Sequence, residues 1–254
     1  MQHTNIEVYS NAGTLCEAAA NRIMELAEDA ITDQGEFHIA LAGGSTPKML
    51  YSLLALSPYK ESIDWQHVYI YFGDERCVPP DHDDSNYRMA REALLSHVPI
   101  PEENIHRIEA ELGNREAAAD EYAETLAHNV PCVYELPLFD LVLLGIGPDG
   151  HIASLFPGTP ALEENNHLTT PVYVEKFDSW RISVTYPVIN NANHIIIFAS
   201  GEGKSDIIKA VLGEDPSAVS NELLPVQRLD PRADLTWFID ADAAQHLTRS
   251  ASGA

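Results

Sequence analysis

The 254-residue chain is short of cations: 15 Lys and Arg stand against 39 Asp and Glu, for a formal net charge of −24. Such a surface repels polyanions, which argues against nucleic acid or an anionic membrane as a partner. No apolar run approaches the roughly 20 residues that cross a bilayer. Met1–Glu7 has no basic stretch leading into an apolar one, so it does not read as a signal peptide. Cysteine is scarce as well. Cys16, Cys77 and Cys132 are odd in number and widely spaced, with no CxxC pair, which reads as reduced thiols in a cytoplasm.

Several motifs are missing, and each absence removes a chemistry. Leu41–Lys48 matches neither the Walker A spacing nor GxGxxG, which weighs against a nucleotide or dinucleotide loop there. Without a G-x-S-x-G elbow a Ser-His-Asp triad is disfavoured, and without H-E-x-x-H or similar ligand spacing so is catalytic zinc. The acidic run Asp81-His82-Asp83-Asp84 reads as a solvated loop rather than a cation trap. No repeat or Pro/Gly/Ser linker divides the chain, so one α/β domain over residues 1–254 is expected.

What is present is an alternation of apolar runs and helix-like segments, the pattern of a mostly parallel sheet covered by helices. Helical spacing runs from about Asn11 to Ile31, and Glu36–Ala42 follows as a short buried strand ending on Gly43-Gly44. A helix from about Pro47 to Leu56 is expected next, with Ser45 or Thr46 as its N-cap. His67–Phe72 is a second strand, ending at Gly73-Asp74-Glu75-Arg76. Helices are expected from Ser85 to about His97 and from about Asn114 to His128. The strand Phe139–Leu144 then ends on Gly145-Ile-Gly-Pro-Asp-Gly-His151. Later strands fall near Thr170–Val174, Trp180–Thr185, His194–Ala199 and Leu235–Ile239, with a helix from about Gly203 to Leu212.

Three strands therefore end on polar, glycine-containing loops, and open α/β sheets bind ligands outside the carboxyl ends of their strands. Gly43–Lys48, Asp74–Arg76 and Asp149–His151 are thus expected on one rim. With so few cations, an anionic substrate must be held by placed Lys or Arg and by backbone N–H groups. Leu41–Lys48 suits that task through its glycines, its hydroxyl pair and a helix start, although an ordinary capped turn fits the same residues. In the third loop His151 could take a proton from water and return it to a leaving oxygen, with Asp149 to fix its tautomer. A loop histidine without partner motifs is more often solvated than catalytic, and the other ten histidines are read that way.

Taken together, Ala42-Gly-Gly-Ser-Thr-Pro47, Gly73-Asp-Glu-Arg-Cys-Val-Pro79, Ser85-Asn-Tyr87 and Gly147-Pro-Asp-Gly-His-Ile-Ala-Ser-Leu-Phe-Pro-Gly158 resemble the 6-phosphogluconolactonases. Arg181–Thr185 and Gly201-Glu-Gly-Lys204 continue the likeness, which ends near Trp237–Asp240. The resemblance implies a Rossmann-like three-layer α/β sandwich, NagB/RpiA-like, shared with glucosamine-6-phosphate deaminases and related sugar-phosphate isomerases. It implies hydrolysis of 6-phospho-D-glucono-1,5-lactone to 6-phosphogluconate in the pentose phosphate pathway. No metal or organic cofactor is implied, and the protein would act as a monomer or homodimer. By the same likeness His151 is the general base, Asp149 its neighbour and Arg76 a substrate-contacting cation. Gly43, Gly44, Ser45, Thr46, Lys48, Asp74, Arg181 and Lys204 would bind the substrate, mostly at its phosphate.

Two departures stand out. Relatives often carry Lys-Pro-Pro before the arginine, where this chain reads Lys176-Phe-Asp-Ser-Trp-Arg181, and Ile152 replaces a threonine. The deaminases carry a glutamate where Phe156 stands and a tyrosine in place of Arg76, which weighs against that chemistry here. A non-catalytic sugar-phosphate sensor remains the other alternative.

Overall fold

The computed structural model describes residues 4–213 and 223–247. Its strands are β1 (Thr4–Tyr9), β2 (Phe37–Leu41), β3 (Val68–Phe72), β4 (Asp74–Arg76), β5 (Cys132–Val133), β6 (Leu136–Pro137), β7 (Leu141–Gly145), β8 (Thr169–Val174), β9 (Ser179–Val184), β10 (His194–Ala199) and β11 (Asp234–Asp240). The helices are α1 (Ala12–Gln34), α2 (Ser45–Leu54), α3 (Tyr59–Ser62), α4 (Asn86–Ala90), α5 (Arg115–Asn129), α6 (Tyr186–Asn190) and α7 (Ser205–Leu212).

Six strands form one parallel sheet in the order β1-β11-β10-β7-β2-β3. Every residue of β2 is buried, and so are Leu141–Leu144 of β7, so neither face of the central sheet is left to solvent. Strands covered on both sides need unbroken apolar runs rather than alternation, and Phe-His-Ile-Ala-Leu and Leu-Val-Leu-Leu-Gly supply them. This is the three-layer α/β arrangement that the sequence implies, with helices flanking a mostly parallel sheet. No helix among the described residues is long and apolar enough to cross a membrane.

From β2 the chain first moves outward to β3, then returns to the other side of β2 through β7 and continues to β10 and β11. The order of the sheet therefore reverses between β2 and β7, and a crevice opens at their carboxyl ends, where ligands bind in such sheets. The loops that leave this point begin at Gly43 and Gly145, and the Gly43 carbonyl lies 3.8 Å from where a Cβ on Gly145 would stand.

Local choices agree with the pattern in most places. Asn11 caps α1 with a reciprocal box to Thr14, and Gly35 ends the helix at φ 91°. Ser85 and Asn114 cap α4 and α5. Several features differ from the sequence expectation. β1 is an extra edge strand, hidden by its modest, alternating Thr-Asn-Ile-Glu-Val-Tyr. Past Ala90 the helix expected to reach His97 continues as a π-turn over Arg91–Leu95. The helix expected at Gly203 opens as a 3-10 turn, Glu202–Lys204, before α7. Finally, Asp74–Arg76 is a strand rather than a loop: β4 pairs antiparallel with β9, and β9 with β8, in a second small sheet.

Candidate active site

The first wall of the crevice is the turn from β2 into α2. Gly44 is the N-cap, at φ 108°, a conformation that a side chain on Cβ resists, and it supplies no side-chain cap to the first turn. Ser45 and Thr46, expected as caps, are instead the first helical residues. The helix thus begins two residues before Pro47 and presents its N-terminal N–H groups and two hydroxyls uncapped, an arrangement suited to an anion. Gly43, Gly44, Ser45 and Thr46 all line a cavity of about 250 Å³. Lys48 does not: it is exposed on α2 and absent from the lining, because the helix turns it away once Pro47 has packed inward.

The second wall comes from the small sheet. Arg76 and Arg181 stand directly opposite one another in the β4–β9 register, and both line the cavity. Like charges facing across a strand pair are unfavourable unless something negative lies between or beside them. The protein supplies part of that charge. Asp74 Oδ2 is 3.9 Å from an Arg181 nitrogen, while Arg76 Nη1 donates to the Asp84 carbonyl at 2.5 Å. Both Nε–H groups are nevertheless buried without an acceptor among the described residues. Burial lowers the Arg181 pKa, with Asp74 acting against it and Arg76 adding to it. Asp74 is itself taken up by the protein: Ser154 Oγ donates to it at 2.6 Å and Asn86 Nδ2 at 3.2 Å.

The buried Glu75 beside them holds the second wall in place. It accepts from the Arg76, Asn86 and Tyr87 backbone N–H groups, each at 2.8 Å, and from Ser85 Oγ at 3.0 Å. Burial raises its pKa against the lowering effect of those four bonds. It ties the start of α4 to β4, which is why Asn86 reaches both Asp74 and the cavity.

The third wall is the loop after β7, closed on itself by Gly147 N–H to the His151 carbonyl at 2.9 Å. His151 lines the cavity; its Nδ1 lies 2.5 Å from Asp149 Oδ1, and no protein group among the described residues bonds its Nε2. Asp149 sits behind the ring in an adjoining groove, with Lys176 Nζ 3.5 Å from its other oxygen. Burial alone would raise the Asp149 pKa, but the hydrogen bond and charge of His151, with Lys176, outweigh it and hold the carboxyl well below its usual range. Lys204 closes the site from the 3-10 turn before α7 and donates to the Ile146 carbonyl at 2.7 Å. Burial lowers its pKa, opposed by Asp149.

One cavity thus brings together His151, Arg76, Arg181, Lys204, Asp74 and the Gly43–Thr46 turn, with Asp149 one contact behind and Lys48 outside. Asn86, Ser154 and Lys176 were not singled out from sequence, although Asn86 and Ser154 lie within the recurrent blocks quoted above. Three of the 15 Lys and Arg line this one cavity, and a ring nitrogen of His151 without a partner among the described residues faces the same space. That combination is suited to moving a proton next to an anionic substrate. Among the described residues no group of three or more His, Cys, Asp or Glu side chains is placed to hold a metal, and the Asp81–Asp84 loop is exposed.

Residues 10–237 match the family model for glucosamine-6-phosphate isomerases/6-phosphogluconolactonase. A probable chloroplastic 6-phosphogluconolactonase of Oryza sativa is 40% identical over 245 residues, covering 92% of this chain and 73% of the relative. A 6-phosphogluconolactonase of Nostoc sp. is 38% identical over 246 residues, covering 96% and 98%. The solved 6-phosphogluconolactonase from Trypanosoma cruzi superposes with a TM-score of 0.83 at 31% identity, over 98% of this chain and all of that one.

Proposed function

The chain belongs to the glucosamine-6-phosphate isomerase/6-phosphogluconolactonase family, and from that membership we propose that it hydrolyses 6-phospho-D-glucono-1,5-lactone to 6-phosphogluconate, the lactone-opening step of the pentose phosphate pathway. The observation that carries this reading is His151, held at Nδ1 by Asp149 and without a partner at Nε2 among the described residues, in a cavity that also holds three cations.

In this reading Nε2 takes a proton from a water whose oxygen bonds to the lactone carbonyl carbon. The carbonyl becomes an oxyanion, and the permanent charge of Arg76 stabilises it. The bond from that carbon to the ring oxygen then breaks, and the imidazolium returns its proton to the departing oxygen. The product is a carboxylic acid, which ionises to solvent, so His151 ends the cycle as it began. Asp149 holds the tautomer that leaves Nε2 free to accept and stabilises the imidazolium between the two transfers. The N-terminal turn of α2, Arg181 and Lys204 hold the phosphate, with N–H groups, hydroxyls and charge. Asp74, which accepts from Asn86 and Ser154 and lies beside Arg181, orients that guanidinium in the cavity. The three cysteines are free, which supports a cytoplasmic, reducing setting.

The test is to oxidise glucose 6-phosphate in situ, so that the lactone forms at a known rate, and to follow 6-phosphogluconate with and without the protein. Acceleration over spontaneous hydrolysis is expected. No acceleration by folded protein, or ammonia release from glucosamine 6-phosphate in its place, would overturn the reading.

A further inference from the structure

The imidazole of His151 is restrained by more than Asp149. The Phe156 ring stacks on it with centroids 3.9 Å apart and planes 24° from parallel. At its Nδ1–Cε1 side the backbone of Gly147 is so close that a Cβ there would stand 2.0 and 2.1 Å from those two atoms. Phe156 is only 3% exposed, and it is braced in turn. Phe177 meets it edge-on at 6.0 Å, and the Arg181 guanidinium lies 5.3 Å from the Phe156 centroid and 5.2 Å from that of Phe177. The loop that differs from the usual Lys-Pro-Pro, Lys176–Arg181, thus supplies both braces.

We propose that Phe156 is a positioning residue for His151: its ring face and the Gly147 backbone hold the imidazole so that Nδ1 stays on Asp149 and Nε2 stays toward the cavity. This deepens the hydrolase reading and rests on it for its catalytic consequence, although the restraint itself is a property of the free protein. Two physical effects follow from the stack. The aromatic face removes rotamers in which Nε2 turns from the substrate, and near-attack geometry tolerates little misplacement. Once His151 has taken the proton from water, its positive charge rests on the π-face of Phe156, an attraction that the neutral ring does not have. Both favour the transition state over the bound substrate, so they belong in kcat rather than KM.

The experiment compares Phe156→Leu and Phe156→Tyr with the unaltered protein. The lactone assay gives kcat and KM, and ¹⁵N resonances of the His151 ring in the substrate-free protein give its tautomer. Phe156→Leu should lower kcat roughly 2- to 30-fold, the range of a desolvated cation–π contact, with KM within about twofold. Its ring should pass from one tautomer to a mixture. Phe156→Tyr, which keeps the face, should restore both readouts. If the Leu variant does not fold, Phe156→Met, closer in volume, replaces it. Unchanged kcat with an unchanged tautomer in a folded Leu or Met variant would overturn the proposal. So would equal losses in the Leu and Tyr variants with the tautomer intact, since packing alone would then account for them. The ring resonances need no turnover, so failure of the clamp and failure of the lactonase reading remain distinguishable.

Discussion

Histidine and aromatic rings are stacked at two places along the central sheet, and only one of them makes a site. Beyond the carboxyl end of β7, His151 lies on Phe156 with one nitrogen on Asp149 and the other unpartnered beside a cavity. Within β2 and β3, His38 stacks on Tyr69 at 4.8 Å, and Tyr71 stacks on His106 at 4.8 Å. His38 is fully buried, with Nδ1 3.3 Å from the Tyr71 hydroxyl, while Nε2, 3.2 Å from Glu36 Oε1, makes no hydrogen bond among the described residues. The ring chemistry of the two places is alike, and what differs is the surroundings. A histidine buried from solvent and away from the cavity packs and nothing more. A histidine with one nitrogen fixed by a carboxylate and one facing a cation-lined crevice can exchange protons with a substrate.

The sharpest way to break this contrast is His151→Ala. It should lower kcat about 10²- to 10⁴-fold, the scale of general acid–base catalysis, with little change in KM. The acid-side fall of kcat/KM with pH should disappear in that variant. The matching variant at the other place, His38→Phe, should leave kcat within about twofold, because the ring touches no cavity residue. Near-normal turnover in the first, or a comparable loss in the second, would erase the distinction.

A smaller effect separates the two lysines of the glycine-loop motifs. Lys204 lines the cavity and Lys48 does not. Lys204→Ala should raise KM for the phosphorylated lactone roughly 10- to 150-fold, as expected for losing a charge-assisted hydrogen bond of about 1.5–3 kcal/mol. The unphosphorylated lactone should be much less affected, and Lys48→Ala should change neither. Arg181→Ala is expected to act in the same direction, but it also removes the partner of the buried Asp74 and so lowers Tm. Equal effects on both lactones would show that these cations do not hold a phosphate.

These residues also show what the sequence makes legible. The central strands and α1 are readable because burial on both faces demands continuous apolar runs, and because Asn11 and Gly35 punctuate the helix. The rim is readable because glycines follow strand ends, and His151 because it follows the longest such loop. Lys48 misleads: adjacency in a motif places it at the site, while the helical turn after Pro47 carries it away. The opposition of Arg76 and Arg181 is invisible in one dimension, since it depends on the register of two strands far apart in the chain. The same holds for the Ser154–Asp74 bond and the Lys176–Asp149 pair. Sequence pattern specifies elements well, but contacts between distant loops follow only once the sheet order is known.

The smallest expected effect tests the half-buried His106, at the edge of the His38 cluster, through pH. Burial lowers the pKa of His106, and the nearby His38 lowers it further. Its Nε2 is buried without a partner among the described residues, so a proton there would be charged, desolvated and unsatisfied. The native state therefore keeps His106 neutral at pH values where the unfolded chain, with an ordinary value near 6.5, already binds a proton. As pH falls through about 6.5 the unfolded state takes up more protons than the native one, and stability drops until the lowered native value is also passed. Well above pH 6.5 the group is neutral in both states and contributes no slope. Substituting His106→Phe keeps a ring against Tyr71 and leaves the backbone N–H bond to the Ile70 carbonyl, 2.8 Å, in place. Other groups that titrate in this range, such as His194, whose pKa burial also lowers, are common to both proteins and cancel in their difference. Thermal melts at pH 7.5 and 5.5 should therefore show a smaller acid-induced fall in Tm for the variant, by a few degrees, with kcat unchanged. A difference in Tm between the two proteins that stays constant across this pH range would mean that His106 is solvated enough to titrate normally.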